Sequence, residues 1–482
     1  MASRLFFTLS LVIGAICHAS ALERRGNHYV KIPVVHSTNS KIFSEFGDKR
    51  AITTVPLANR SDVAYYAQLD IGTPPQQVYV QLDTGSFELW VNPDCSDLSG
   101  SADVRFCRAV GRYEPSSSSS AARLTGTKTL QYGIGSASIQ YVSDVIGLSG
   151  TDTKLSKVQF GVAFDTVDEF AGILGIGHGN NVTIRYNNFI DELERQGATE
   201  TKAFSLALGS KDEQEGVVIF GGLDTSKFTG TLQTLPIIPA EASPDKVPRY
   251  WVNMTSLSLT PPSGQTKVYE NTPMTVFLDS GATLTLLPTD LANAIAVDFG
   301  ADPTTADGVY PVNCSLNDVP GTLDFAFDGV TIHVPYNELV RELQTTFGTQ
   351  CYLGISPSDS FVLLGDTMLR SAYAVFDQTN DAIHLAQYVN CGTKELEITD
   401  GMDMSTIKGD CDAPNFTATP KSNDAATTTT TGVTGATGVN SPTGSSSDAG
   451  ASAAPESLSS KNRLECYIGL AAASFWAAAV LA

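Results

Sequence analysis

Two short segments of this chain repeat one another. Gln81-Leu82-Asp83-Thr84-Gly85-Ser86 and Phe277-Leu278-Asp279-Ser280-Gly281-Ala282 each carry an apolar strand signal into Asp, a hydroxyl residue and Gly. One such tripeptide is an ordinary turn after a strand. A second feature keeps step with it. Phe170-Ala171-Gly172-Ile173-Leu174-Gly175 ends 92 residues after Asp83, and Phe361-Val362-Leu363-Leu364-Gly365 ends 86 residues after Asp279. Paired motifs in register imply two homologous lobes, each presenting one carboxylate at the end of a strand.

The surrounding segments read as strands too. Tyr65 to Gly72, Val78 to Leu82 and Val217 to Phe220 are short, rich in β-branched and aromatic residues, and bounded by Gly and Pro. Helical spacing stands out at Asn188 to Arg195 and near Leu291 to Val297. The fold class predicted is all-β with a few short helices, the lobes spanning residues 51–202 and 203–390.

Both ends read as processing signals. Residues 1–21 hold Arg4, the apolar run Leu5 to Ile16 and Ala19-Ser20-Ala21, the pattern of a cleaved signal peptide. Residues 22–50 are basic, with Arg24, Arg25, Lys31 and Lys41, and close on Lys49-Arg50, which predicts a propeptide removed to leave Ala51. From 391 to 450 the chain is read as a Ser/Thr-rich stalk, with Thr427 to Thr431 and Ser445 to Ser447, a composition that cannot bury a core. Small residues at Asp448 to Ser452, a polar spacer with Lys461 and Arg463, and a charge-free tail from Cys466 to Ala482 follow. That order is a glycosylphosphatidylinositol (GPI) anchor signal, with 451–482 removed on maturation. At about 1.5 Å per residue the tail reaches roughly 25 Å, short for a bilayer span.

Cys17 and Cys466 leave with these ends, and six cysteines remain, an even number suited to an oxidising compartment. Six cysteines allow fifteen pairings. Proximity favours Cys95 with Cys107 and Cys314 with Cys351, while Cys391 and Cys411 would then close a small loop. Asn59, Asn181, Asn253, Asn313 and Asn415 head N-glycosylation sequons.

The paired motifs resemble those of the pepsin-like aspartic proteases, over about Asp62 to Val389. The likeness rests on Asp83-Thr84-Gly85-Ser86 with Leu89-Trp90-Val91, on Tyr132-Gly133-Ile134-Gly135-Ser136, and on Leu364-Gly365-Asp366 followed by Tyr373 to Asp377. With the anchor signal, the chain is similar to fungal GPI-anchored proteases of the yapsin and candidapepsin type. The resemblance implies the bilobal acid-protease fold with a pseudo-twofold axis. It implies an aspartic-type endopeptidase made as a zymogen, in which Asp83 and Asp279 share a proton and activate a water, since like charges at that range cannot both ionise. Thr84 and Ser280 are expected to cross-brace the two loops. Gly85 and Gly281 admit close backbone approach, and Ser86 and Thr283 support the dyad. Tyr132 and Gly133 are expected in a flap over the substrate, with Trp90 bonded to Tyr132. The pro-segment cations Arg24, Arg25 and Lys31 are expected to face the carboxylates.

Two departures from the family pattern stand out. Ala282 replaces the hydroxyl residue that follows Gly in the second loop. Ile134 stands where relatives that accept Lys or Arg carry Asp after the flap Tyr-Gly, which predicts a preference for apolar or aromatic side chains.

Composition removes other classes. The net charge of −21, with no Lys/Arg cluster, argues against nucleic-acid binding and suits work at acid pH, where carboxylates protonate toward neutrality. No C-x-x-C, H-E-x-x-H or G-x-S-x-G occurs, so no metal or cofactor is expected, and serine or zinc hydrolysis has no support. The partners expected are protein or peptide substrates and, through the lipid anchor, the plasma membrane and cell wall, for a monomer delivered to the cell surface. The alternative is a non-catalytic pepsin-fold surface binding or wall protein.

Overall fold

The structure is a computed structural model that describes residues 28–36, 64–98, 101–213, 215–303, 308–345, 348–414 and 416. The signal peptide, Arg24, Arg25, Lys49-Arg50, Asn59, Asn415 and the Thr/Ser-rich and tail segments lie outside the described residues. Among the described residues no helix is long and apolar enough to cross a membrane.

A thirteen-stranded sheet runs through both halves of the chain. Its middle holds β1 (Val30–His36), flanked antiparallel by β2 (Tyr65–Ile71) on one side and by Glu215–Phe220 on the other. β2 turns into β3 (Gln76–Asp83), which ends on the first motif aspartate. After the turn, β4 (Leu89–Val91) resumes the sheet, and β5 (Ala122–Gln131) with β6 (Ser136–Leu148) forms a long hairpin backed by β7 (Lys154–Val167). β8 (Gly172–Gly175) then threads between β3 and β4, parallel to the first with Asp83 opposite Gly175, antiparallel to the second.

The second repeat weaves the same way. Met274–Leu278 runs parallel to Leu363–Leu364, with Leu278 opposite Leu364, and Thr285–Leu287 meets the same strand antiparallel. The period-2 pattern explains the packing: Leu69, Ile71, Val78, Val80 and Leu82 are all buried in one core with Leu174 and Ile176. Each such side chain contributes about 1.5–3 kcal/mol by leaving water.

Helices form where the spacing predicts them. Phe189–Arg195 buries Phe189, Ile190 and Leu193, and Asn188 caps it by accepting from the Asp191 amide while the Asp191 carboxylate accepts from the Asn188 amide. Thr289–Asp298 buries Leu291, Ala292, Ile295 and Ala296. A third helix, Ser101–Ala109, has too few apolar positions to be read from sequence; it carries Cys107, bonded to Cys95. Cys314–Cys351 and Cys391–Cys411 also close.

One expected contact and one domain boundary change. Part of the segment assigned as propeptide, Val30 to His36, is an inner strand of the sheet, and the Lys31 ammonium lies 2.7 Å from the Glu395 carboxylate. Lys31 is therefore spent on that carboxylate and does not face the dyad. The stalk does not start at 391 either. Glu395–Glu397 pairs with Gly222–Asp224, and Ile398 and Met404 are buried with Leu223, Phe228 and Tyr373, so the folded body continues to the Cys391–Cys411 clasp. Opening that clasp with Cys391→Ser and Cys411→Ser is expected to cost about 3 kcal/mol, from the chain entropy of a loop of this length. A melting temperature lowered by several degrees checks it; an unchanged one refutes it.

Candidate active site

The aspartate loops of the two repeats meet face to face. Thr84 Oγ1 donates to Leu278 O at 2.9 Å and accepts from Ser280 N at 2.9 Å, while Ser280 Oγ donates to Leu82 O at 3.0 Å and accepts from Thr84 N at 3.2 Å. Four reciprocal bonds, all buried, lock one loop to the other. Gln81 Nε2 adds a bond to Gly281 O at 3.0 Å. Inside each loop the glycine amide donates to its own aspartate, Gly85 N to Asp83 at 2.7 Å and Gly281 N to Asp279 at 2.9 Å.

The apolar-apolar-Gly repeats lie directly beneath. A Cβ on Gly175 would sit 2.5 Å from Glu88 N, and one on Gly365 would sit 2.5 Å from Ala282 O. Only hydrogen lets these backbones touch, so each motif glycine permits the aspartate loop to rest on its supporting strand. Ile176 N donates to Asp83 O and Asp279 N to Leu364 O, tying the loops down.

Asp83 is buried and Asp279 half-buried, and the two carboxyls lie within hydrogen-bonding range of each other. Loss of water is the largest influence and raises the proton affinity of each; for Asp279 the adjacent Asp83 charge raises it further. The glycine amides and the Arg249 guanidinium oppose this. Both carboxyls are therefore biased toward their protonated forms, and a charge on Asp83 adds to the bias at Asp279. Ser86 Oγ is buried and near enough to Asp83 to favour its charged form, yet it makes no well-aligned hydrogen bond. Thr283 accompanies the second loop, where its carbonyl accepts from Thr367 N at 3.2 Å.

Above the first loop, the β5–β6 hairpin turns at Tyr132 and Gly133. Trp90 Nε1 donates to the Tyr132 hydroxyl at 2.7 Å. Tyr132 is half-buried against Trp90, Ala137, Ile139 and Ile173, and burial first, then Glu169 and Asp83, hold its hydroxyl protonated. Ile134 at the tip is 61% exposed.

Sequence reasoning missed three neighbours. Glu88, buried, accepts from Lys128 Nζ at 2.7 Å, Tyr141 at 2.7 Å and Tyr186 at 2.8 Å, joining the first loop to both hairpin strands. Arg249 donates to Gly85 O, pairs with Asp245 at 2.8 Å and lies over the rings of Phe87, Phe277 and Phe361. Glu169 is buried beside Gly135. No local motif marks any of them, because most of their partners are distant in sequence. Among the described residues, the metal-ligating groups that converge are His28, Glu200 and Glu397, none of them in the dyad loops.

Residues 64–388 match the family model for eukaryotic aspartyl proteases. The chain belongs to that family. It is an aspartic-type endopeptidase, similar over most of its length to named relatives. It is 35% identical over 372 residues to the probable aspartic-type endopeptidase opsB of Aspergillus oryzae, covering 74% of this chain and 75% of that protein. It is 37% identical over 353 residues to secreted aspartic protease 3 of Candida albicans, covering 70% and 83%. The fold also matches the crystal structure of the aspartic proteinase from Irpex lacteus, with a TM-score of 0.55, 21% identity and coverage of 75% and 97%.

Proposed function

We propose that this aspartic protease cleaves protein chains at acidic pH through the Asp83–Asp279 pair, and that it does so at the cell surface. The observation that carries the mechanism is the close pair of carboxyls held by the reciprocal Thr84–Ser280 bonds. Two carboxyls fixed this close retain one proton over an acidic range. The charged member takes a proton from a water, and the protonated member donates to the scissile carbonyl oxygen. The water oxygen then bonds to the carbonyl carbon without a covalent enzyme intermediate. The rate should fall at low pH as the charged member gains a proton, and at higher pH as the shared proton is lost. Tyr132, carried on the hairpin over the dyad and anchored by Trp90, closes over the substrate and excludes water.

Surface display rests on sequence: the signal peptide at 1–21, the stalk now beginning beyond Cys411, and the anchor signal at 451–482. The secreted relatives named above support export. Asn181, Asn253 and Asn313 are exposed, as glycan acceptors must be. The dibasic Lys49-Arg50 remains the proposed activation cut, and Val30–His36, within the segment proposed to be removed, pairs in the sheet.

Cleavage of a denatured protein between pH 3 and 6, abolished by a statine-type transition-state inhibitor, tests the activity; cleavage that persists with the inhibitor refutes it. The second loop supplies a finer test. Ala282 offers no hydroxyl to Asp279, so Ala282→Thr adds a donor that favours the charged form and lowers the proton affinity of the pair. The high-pH limb of the rate profile is expected to move down in the variant. An unmoved or raised limb removes the argument.

A further inference from the structure

Gly85 touches both carboxyls of the dyad. Its amide donates to Asp83 at 2.7 Å, and a Cβ on it would lie 2.5 Å from Asp279 Oδ1. The carbonyl of the same residue accepts from Arg249 Nη1, which arrives 164 residues further along the chain, just before the strand Trp251–Met254. A guanidinium from the second lobe thus holds the glycine that lies against both reacting groups.

That guanidinium is fixed on its other sides too. Its Nε donates to Asp245 Oδ2 at 2.8 Å, and Asp245 Oδ1 is itself held by Val247 N at 3.0 Å and Trp251 Nε1 at 3.2 Å. The rings of Phe87, Phe277 and Phe361 lie 5.3, 5.7 and 5.9 Å from Arg249 Cζ. Phe87 follows the first aspartate loop, Phe277 leads into the second, and Phe361 opens the segment beneath the second. Among these rings the side chain is only 22% exposed, so water screens its charge less than that of a surface cation. An arginine keeps that charge at any pH a protein meets.

A fixed cation opposes proton uptake by carboxylates near it. Arg249 acts in that sense on Asp83 and on Asp279. Glu169, Asp366 and the Tyr132 hydroxyl also face the pair, but burial raises the proton affinity of all three, so in acid they stay neutral. Asp245, on Nε, offsets part of the arginine charge, while Nη1 is turned to the dyad loop.

We propose that Arg249 is a positioning residue for the cleavage reaction: from the second lobe it clamps the first aspartate loop at Gly85 and keeps a fixed positive charge beside the dyad, which moves the working range of the pair to lower pH. The inference rests on the protease reading above. Without that charge each carboxyl takes up its proton at higher pH. The low-pH limb of the rate profile, where the charged member is protonated, then moves up, and so does the high-pH limb, where the shared proton is lost.

The test follows kcat/KM for one peptide from about pH 2 to about 8 in wild type, Arg249→Met, Arg249→Gln and Arg249→Lys. Met keeps an unbranched stem and Gln keeps an N–H donor, so if one neutral variant fails to fold the other reports. Limb positions do not depend on how much enzyme is folded; a merely structural role lowers the curve without moving it. Both limbs are expected to move to higher pH by about half a unit or more in the neutral variants, and Arg249→Lys is expected to recover at least half of that shift. Limbs that move less than that, or downward, in the neutral variants overturn the proposal, as does a shift in Arg249→Lys as large as theirs. A wild type that cleaves nothing across the range overturns the protease reading itself, and this inference falls with it.

Discussion

Asp83→Asn is expected to lower kcat/KM at the pH optimum by at least about a thousandfold while leaving the fold in place. The side chains match in shape, and the Asn oxygen still accepts from Gly85 N, the bond that Asp83 now receives at 2.7 Å. The four Thr84–Ser280 bonds do not involve Asp83 and persist. What disappears is the base. An amide cannot take a proton from water, and Asp279, relieved of its charged neighbour, loses part of what raises its proton affinity. Peptide cleavage by the variant, with a melting curve beside it, decides the matter. Activity within tenfold of wild type in a folded variant would sink the two-carboxylate mechanism.

Gly281→Ala is the second large effect, and it works through crowding. The added methyl would overlap the Asp83 carboxylate. The opposite substitution, Gly85→Ala, would place a methyl 2.5 Å from Asp279 Oδ1. Neither glycine has a positive φ, so the backbone itself tolerates alanine. The strain must be relieved by pushing the loops apart. Misplacing reacting groups by about 1 Å costs on the order of a hundredfold in rate, and overpacking a tight site costs about 1–3 kcal/mol. Gly281→Ala is therefore expected to lose about a hundredfold in kcat and several degrees in melting temperature. A wild-type rate would mean that the carboxylates move freely, contrary to the locked loops described above.

The parts legible in the sequence are those written twice. Asp83 and Asp279, with Gly175 and Gly365 beneath them, could be found because a duplicated fold repeats its constraints at nearly equal spacing. The helix at Phe189–Arg195 was legible because cap and apolar stripe are local. Glu88, Arg249 and Glu169 were not, because each acquires its meaning from chain far away: Lys128 lies 40 residues from Glu88, and Tyr186 lies 98. The same holds at the ends of the body. Val30 to His36 carries a basic residue in a basic stretch, and only its pairing with Glu215–Phe220 shows that it is sheet. Leu396 and Ile398 alternate too briefly to announce a strand, and Gly222–Asp224 completes one for them.

The Cys391–Cys411 clasp decides where a pull on the tail would be felt. On the anchored reading, drag on the enzyme is transmitted through the stalk to Cys411. Cys391 lies just after the strand Ala382–Tyr388, so the sulfur bridge carries that load past residues 392–410 and straight into the large sheet. The short pairing of Glu395–Glu397 with Gly222–Asp224 is thus spared the tension that would unzip it, and tethering leaves the spacing of the two aspartates untouched.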